Sequence, residues 1–295
     1  MFKLVHLSDI HLGPLPEPSW RQLASKRVLG YLNWKKNRKH ALKGNYLQGL
    51  IEHIPDLRPD HIIVSGDLVN LALPDEFPMA KKFLDTLGSA KNVTAICGNH
   101  DAYVQAGLPN AIRHWHDNMC GDETGLDNAK DYPVLRKRGN VAIIACNSAE
   151  PTAPFMATGY FRQDQAERLA RILVDTQDMC RVVSIHHPPF PNATHWHKRL
   201  IGDKLFLEVI RSHGAELVLH GHTHLATSVT IEGKDAQVPV VCVPAAGNAP
   251  GGKKPAGRAN LFNIECDRGR FNILHEAYQY SPEDNCLELV VSQQL

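Results

Sequence analysis

Apolar runs along this chain keep ending on the same kinds of polar residue. Leu4-Val5-His6-Leu7 stops at Ser8-Asp9-Ile10-His11, His61-Ile62-Ile63-Val64-Ser65 at Gly66-Asp67-Leu68-Val69-Asn70, and Val93-Thr94-Ala95-Ile96-Cys97 at Gly98-Asn99-His100-Asp101. Short β-branched runs bounded by glycine and polar residues read as buried strands, so each delivers carboxylate, amide or imidazole groups to its carboxyl end. Helical patterns lie between them, over about residues 46–54 and from Pro74-Asp75 to about Leu87. Strands and helices alternating in this way predict an α/β sheet with a site beyond the strand ends.

The second half continues the pattern. A strand over 140–146 ends in Asn147-Ser148, and a helix is expected over about 162–175. Arg181-Val182-Val183-Ser184-Ile185 then ends in His186-His187-Pro188-Pro189, where the prolines force the chain out of the sheet and leave one histidine facing inward. The strand end favours His186. After a helix near 203–212, Glu216-Leu217-Val218-Leu219 runs through His220 into Gly221-His222-Thr223-His224. A spacing of two places Asp9 with His11, and His222 with His224, on one face wherever extended geometry continues. Residues 102–138 read as polar and loop-rich, with His114 and His116 around Trp115 as local packing. His195 and His197 fall in a loop. Five further strands are expected, over about 227–231, 238–243, 259–265, 270–280 and 287–291, with a flexible loop at 244–257.

Composition narrows the class. At 295 residues and 43% hydrophobic, the chain can bury a full core. With no linker and no internal repeat visible, residues 1–295 read as a single domain carrying an insertion at about 14–45. A formal charge of +1 gives no polyelectrolyte character, which speaks against nucleic acid as a partner. Seven cysteines, with no Cys-x-x-Cys pair, fit neither a disulfide framework nor a thiolate zinc site. Together with a first strand that begins almost at Met1, they lead to the expectation of a cytoplasmic protein.

The insertion differs in charge. It opens with Pro14, Pro16 and Pro18, and from Ser19 to Ile51 it has no acidic residue but carries Arg21, Lys26, Arg27, Lys35, Lys36, Arg38, Lys39 and Lys43. Trp20, Leu23, Ala24, Val28, Tyr31 and Leu32 are spaced for one helix face, with Trp34 just beyond. Residues 20–43 therefore suit peripheral contact with a membrane surface or a phosphate-rich substrate, the alternative being a solvated face packed on its own domain.

Taken singly, each polar strand end also fits a structural role, such as Asn99 or Asp101 capping a helix. The ordered set Asp9-x-His11, Gly66-Asp67, Gly98-Asn99-His100-Asp101, His186 and Gly221-His222-x-His224 resembles the calcineurin-like metallophosphoesterase superfamily, from about residue 4 to residue 225. The resemblance implies a four-layer α/β/β/α sandwich of two mixed β-sheets flanked by helices. It implies one metal ion held by Asp9, His11, Asp67 and His224, a second held by Asp67, Asn99, His186 and His222, and Asp67 as the bridge. Imidazole, carboxylate and amide donors without thiolate suit manganese, iron or zinc, as two divalent or mixed-valence ions. Two such cations against two carboxylates leave a positive centre, a natural host for a phosphate ester.

The activity so implied is hydrolysis of a small phosphodiester, such as a cyclic nucleotide, by a hydroxide that two metals activate. Motif spacing and His186-His187-Pro188-Pro189 look most like the bacterial class III cyclic nucleotide phosphodiesterases and glycerophosphodiesterases. His100 is expected beside the leaving-group oxygen, as general acid or charge stabiliser, and Asp101 either supports His100 or acts as an N-cap. The alternatives are hydrolysis of a lipid-linked pyrophosphate or nucleotide-sugar lipid at a membrane surface, suggested by the basic insertion, and a non-catalytic interaction scaffold on the same fold.

Overall fold

Neighbouring residues of the first strands face opposite ways: Leu4 and Ile63 join one apolar cluster, while Val5, Leu7, Ile62 and Val64 join another. The period of two in a strand requires this, and near-continuous apolar runs are what a sheet covered on both faces demands. In the computed structural model, which describes residues 1–35 and 44–295, that alternation builds four layers.

The strands are β1 (Phe2–Leu7), β2 (His61–Val64), β3 (Val93–Ala95), β4 (Val134–Arg138), β5 (Val141–Ala145), β6 (Gly159–Tyr160) and β7 (Cys180–Ser184). They continue with β8 (Leu200–Ile201), β9 (Leu217–His220), β10 (Thr227–Glu232), β11 (Gln237–Cys242), β12 (Arg258–Asp267), β13 (Arg270–Ser281) and β14 (Cys286–Gln294). One six-stranded sheet has the order β14-β13-β12-β1-β2-β3, the other β10-β11-β9-β7-β5-β4, and β6 pairs with β8 in a small ribbon. Both large sheets are mixed: β1, β2 and β3 run parallel while β12 is antiparallel to β1, and β5, β7, β9 and β11 run parallel while β4 and β10 are antiparallel at the edges.

The helices are α1 (Trp20–Leu23), α2 (Arg27–Asn33), α3 (Gly44–Glu52), α4 (Glu76–Leu87), α5 (Gly107–Met119), α6 (Gln163–Asp175) and α7 (Asp203–His213). Tyr46, Leu50, Phe77, Leu84 and Trp115 pack α3, α4 and α5 on the first sheet. Leu169, Leu173, Phe206 and Ile210 pack α6 and α7 on the second. Between the sheets lie Leu4, Ile63, Ile143, Val182, Leu219 and Phe262. The fold is therefore the expected α/β/β/α sandwich.

Two expectations need correction. Residues 102–138 hold α5 and β4 rather than mostly loop. Gly107 and Pro109 disguise the helix in sequence, yet proline is tolerated in a first turn, and Leu108, Ala111, Ile112, Trp115 and Met119 form its buried stripe. Within it His114 stacks on Phe77, as packing would have it, while His116 is half-exposed and meets Asp117 Oδ1 at 3.1 Å on the surface.

The insertion is likewise not one amphipathic helix. Among its described residues it forms α1 and α2, neither with a buried residue, and Trp20 is 74% exposed. Lys26 and Arg27 turn inward instead: Lys26 Nζ donates to the carbonyl of Thr152 at 2.9 Å, and Arg27 Nε to that of Leu71 at 3.0 Å. Lys36, Arg38, Lys39 and Lys43 lie outside the described residues. No helix among the described residues is long and apolar enough to cross a membrane.

Candidate metal centre

Parallel register brings the carboxyl ends together, with Leu7 beside Val64, Val64 beside Ala95, and Ser184 beside Leu219. Beyond the strands the backbone stays tied: the amide of Asp9 donates to Gly66 O, that of His11 to Asp67 O, and that of Gly221 to His186 O, at 2.9, 2.9 and 3.1 Å. Extended geometry does not continue through the polar pairs, however. Asp9 (φ 53°), His11 (46°), Asp67 (56°), His222 (68°) and His224 (58°) are all left-handed. The shared-strand-face account of Asp9-x-His11 and His222-x-His224 is therefore corrected: tight turns aim these side chains. Left-handed backbone is costly for residues with a Cβ and persists only where surrounding structure imposes it. Glycines make room for the turns. A Cβ on Gly98 would collide with Asp67 Oδ1 and stand 2.6 Å from His186 Cε1, and one on Gly221 would stand 2.6 Å from Asp9 Oδ2.

The turns converge on a cluster of donor atoms. His224 Nε2 lies 3.0 Å from Asp9 Oδ1, and His11 Nε2 lies 3.9 Å from that oxygen and 3.8 Å from Asp67 Oδ2. His186 Nε2 is 3.5 Å from the same Asp67 oxygen, and His222 Nδ1 is 2.8 Å from Asn99 Oδ1. The far nitrogen of three rings meets a backbone carbonyl: His11 at Val69 (3.2 Å), His186 at Ser65 (2.7 Å) and His222 at Lys198 (3.0 Å). A ring N–H donated to a carbonyl leaves the opposite nitrogen as a lone pair aimed into the cluster, the usual support for a metal-bound histidine.

This donor set fits divalent cations. Asp9 Oδ1 and His186 Nε2 are buried and face only other members of the cluster, an arrangement that is costly unless a proton or a cation sits between them. In the tautomer that gives Nε2–H to Lys198 O, the Nδ1 lone pair of His222 is turned to Asn99. Separations of about 3–4 Å between donors suit a cation with bonds of about 2.0–2.2 Å. Asp9, His11 and His224 each bring one donor within 4.8 Å of the others, as do Asp9, Asp67 and His186.

Electrostatics agree. Burial opposes ionisation of Asp9 and Asp67, but the neighbouring imidazoles, His224 for Asp9 and His186 for Asp67, hold both well below the usual carboxylate range. Burial disfavours a charged His186, yet the Asp67 carboxylate raises it to about 9; a bound cation would take that proton's place. His222 is held well below its ordinary value by burial and then by His187 and His186, so its lone pair stays available.

His187, the alternative at the strand end, points elsewhere, to Ser148 Oγ at 2.8 Å and Ala157 O at 3.2 Å. His100 stands at the rim: its ring meets that of His11 edge-on at 4.9 Å, its Nδ1 is 2.6 Å from Asn70 O, and its backbone amide donates to Asp67 Oδ1 at 2.7 Å. One of its nitrogens falls within 4.8 Å of donors from His11 and Asp67. Asp101 does not support the His100 ring. Its Oδ2 accepts the amides of Asp67 and Gly98, both at 2.8 Å, and its Oδ1 that of Val69 at 2.9 Å. Burial, and then the Asp67 charge, push its pKa up, and the amides of Gly98 and Val69 oppose that rise. It is a clamp on the backbone that carries the donors, a role invisible in sequence because its partners are main-chain amides.

A cleft of about 390 Å³ opens over Asn99 and His100, walled by Lys26, Asn70, Tyr103 and Lys198. Lys26 belongs to the basic stretch that the sequence suits to a phosphate-rich substrate, whereas nothing in the sequence singles out Tyr103. Tyr103 stacks on His100 at 5.8 Å, and Lys26 Nζ sits 4.2 Å from the centre of the Tyr103 ring. His197 lines the cleft, with His195 stacked on it at 5.7 Å.

Buried carboxylates and imidazoles at the joined ends of two sheets define a metal-binding hydrolase scaffold. The calcineurin-like phosphoesterase family model matches residues 2–226, and the chain belongs to that family of phosphoric ester hydrolases. Glycerophosphodiester phosphodiesterase GpdQ of Enterobacter lignolyticus is 27% identical over 188 residues, 64% of this chain and 57% of that protein, so the match spans little more than half of that relative. A probable cyclic nucleotide phosphodiesterase of Rhodococcus erythropolis is 25% identical over 234 residues, 78% of this chain and 67% of the other. Among solved structures, purple acid phosphatase PPD1 from yellow lupin superposes with a TM-score of 0.61 at 11% identity, covering 99% of this chain and 53% of its own, and supports the fold.

Proposed function

We propose that this protein is a metal-dependent phosphodiesterase acting on small diesters. The observation that carries the reading is the convergence of imidazole, carboxylate and amide donors within a few ångströms: His224 Nε2 on Asp9 Oδ1 at 3.0 Å, His186 Nε2 near Asp67 Oδ2 at 3.5 Å, and His222 Nδ1 on Asn99 Oδ1 at 2.8 Å. Asp9, His11, Asp67 and His224 would hold one cation, and Asp67, Asn99, His186 and His222 the other. Manganese, iron or zinc there would place positive charge on the phosphoryl oxygens and acidify a water. The neutral Asn99 contributes a donor without cancelling the charge that attracts a phosphate.

The remaining work falls to the chain itself. His100, its Nδ1–H held by the Asn70 carbonyl, offers Nε2 to the departing oxygen and, as imidazolium, gives it a proton. Asp101 keeps the turns bearing Asp67 and Asn99 at fixed separation. Relatives named for glycerophosphodiesters and cyclic nucleotides support the diester class. Retention of the whole donor set weighs against a non-catalytic scaffold.

Metal analysis of the purified protein together with turnover of bis-p-nitrophenyl phosphate tests the reading. Bound metal with turnover that Asp67→Ala abolishes is expected. Absence of turnover under manganese, iron and zinc alike would overturn it.

A further inference from the structure

A second cavity, of about 710 Å³, adjoins the candidate metal centre, and its walls are of another kind. Ile10, Leu12, Trp34, Leu47, Ile51 and Phe83 form most of it, and His11, a candidate metal ligand, forms part of the same wall. Trp34 is the shared partition, lining both this cavity and the cleft over Asn99 and His100. Its indole N–H is buried with no hydrogen-bond partner.

Among the described residues the lining includes no lysine or arginine, and its one charged side chain there is that of Glu52. The Glu52 carboxylate puts a negative charge beside these apolar walls. On the far side of Trp34 the cleft offers Lys26, Asn70, Asn99 and Lys198, groups suited to a polar alcohol and to phosphate. The phosphate position lies between a polar chamber and an apolar one.

We infer that the apolar cavity is a subsite for a hydrocarbon chain, and that the preferred substrate is a phosphodiester joining a polar alcohol to an alkyl or acyl-bearing one. The inference rests on the phosphodiesterase reading and names its substrate class. No membrane is required, since the chain is taken up inside the protein. Burying a methylene is worth about fourfold in affinity, so a chain of several carbons should dominate selectivity.

The test uses the metal-loaded full chain and a series of p-nitrophenyl n-alkyl phosphates, from ethyl to octyl. For the wild type, kcat/KM is expected to rise at least tenfold along the series. Phe83→Glu, at the cavity wall, should flatten that rise while leaving the ethyl ester within about twofold of wild type. Gln48→Trp, at the exposed mouth, serves as a second variant that disturbs no core packing and should also flatten it. A flat series in the wild type, or a rise that survives in both variants, overturns the subsite. Failure to cleave any member with any metal would instead strike the phosphodiesterase reading, so the two failures are distinguishable.

Discussion

Oδ2 of Asp101 accepts the backbone amide of Asp67 at 2.8 Å, and the same oxygen accepts that of Gly98. One carboxylate thus ties the turn after β2 to the turn after β3, with Oδ1 adding the Val69 amide. Asp101→Asn replaces an acceptor oxygen with a donor and leaves at least one buried amide facing an N–H. The expected loss is about 1–3 kcal/mol of stability, with weaker metal binding. Urea unfolding and metal titration of the variant check this, and unchanged values in both would remove the clamp.

Neighbouring residues of the Gly98–Asp101 turn separate under substitution. His100→Ala is expected to lower kcat by about 10²–10⁴-fold with metal content unchanged. Asn99→Ala should instead loosen one of the two proposed cations, leaving activity recoverable at high metal concentration. Metal analysis beside steady-state rates reads both, and an emptied site in His100→Ala would count His100 among the ligands.

Chelation should cost stability as well as activity. Asp9 and Asp67 are fully buried anions in the same cluster, and a cation that binds only the folded chain stabilises it by mass action. Treatment with EDTA is expected to abolish turnover and lower the melting temperature, with manganese or zinc restoring both. An unchanged melting curve would mean that the donors are satisfied without metal.

Acid should destabilise the protein through histidines remote from the chemistry. Burial lowers His61 to about 3 and His275 to about 4. Their unfolded forms, with pKa near 6.5, bind protons that the folded forms refuse. Their contribution is fully present above pH 6.5 and is lost as pH falls from there towards 4, by about 1.4 kcal/mol per pH unit for each proton. Chemical unfolding as a function of pH should show that slope, reduced by one proton in His61→Gln.

Much of this was legible in sequence, because a buried parallel strand leaves a plain trace: an apolar run, then an abrupt polar end. Asp9, Asp67, Asn99, His186 and His222 were visible on those grounds. What escaped notice depends on the main chain or on remote partners. Left-handed turns, and not strand faces, aim Asp9, His11, His222 and His224, and side-chain spacing carries no record of φ. Helix α5 hid behind Gly107 and Pro109. Lys26 looked like one more surface charge until the fold brought Thr152 to it from across the chain. The apolar cavity is assembled from β1's exit, the insertion, α3 and α4, so no single stretch announces it.

The left-handed backbone at Asp9, His11, Asp67, His222 and His224 has a consequence for descent. Glycine or asparagine would sit more comfortably at each of those positions, so the residues proposed to carry the chemistry are the ones folding would sooner replace. A lineage released from selection for catalysis would be drawn to lose its metal donors first, and would gain robustness by doing so. The site is preserved against the preferences of its own scaffold.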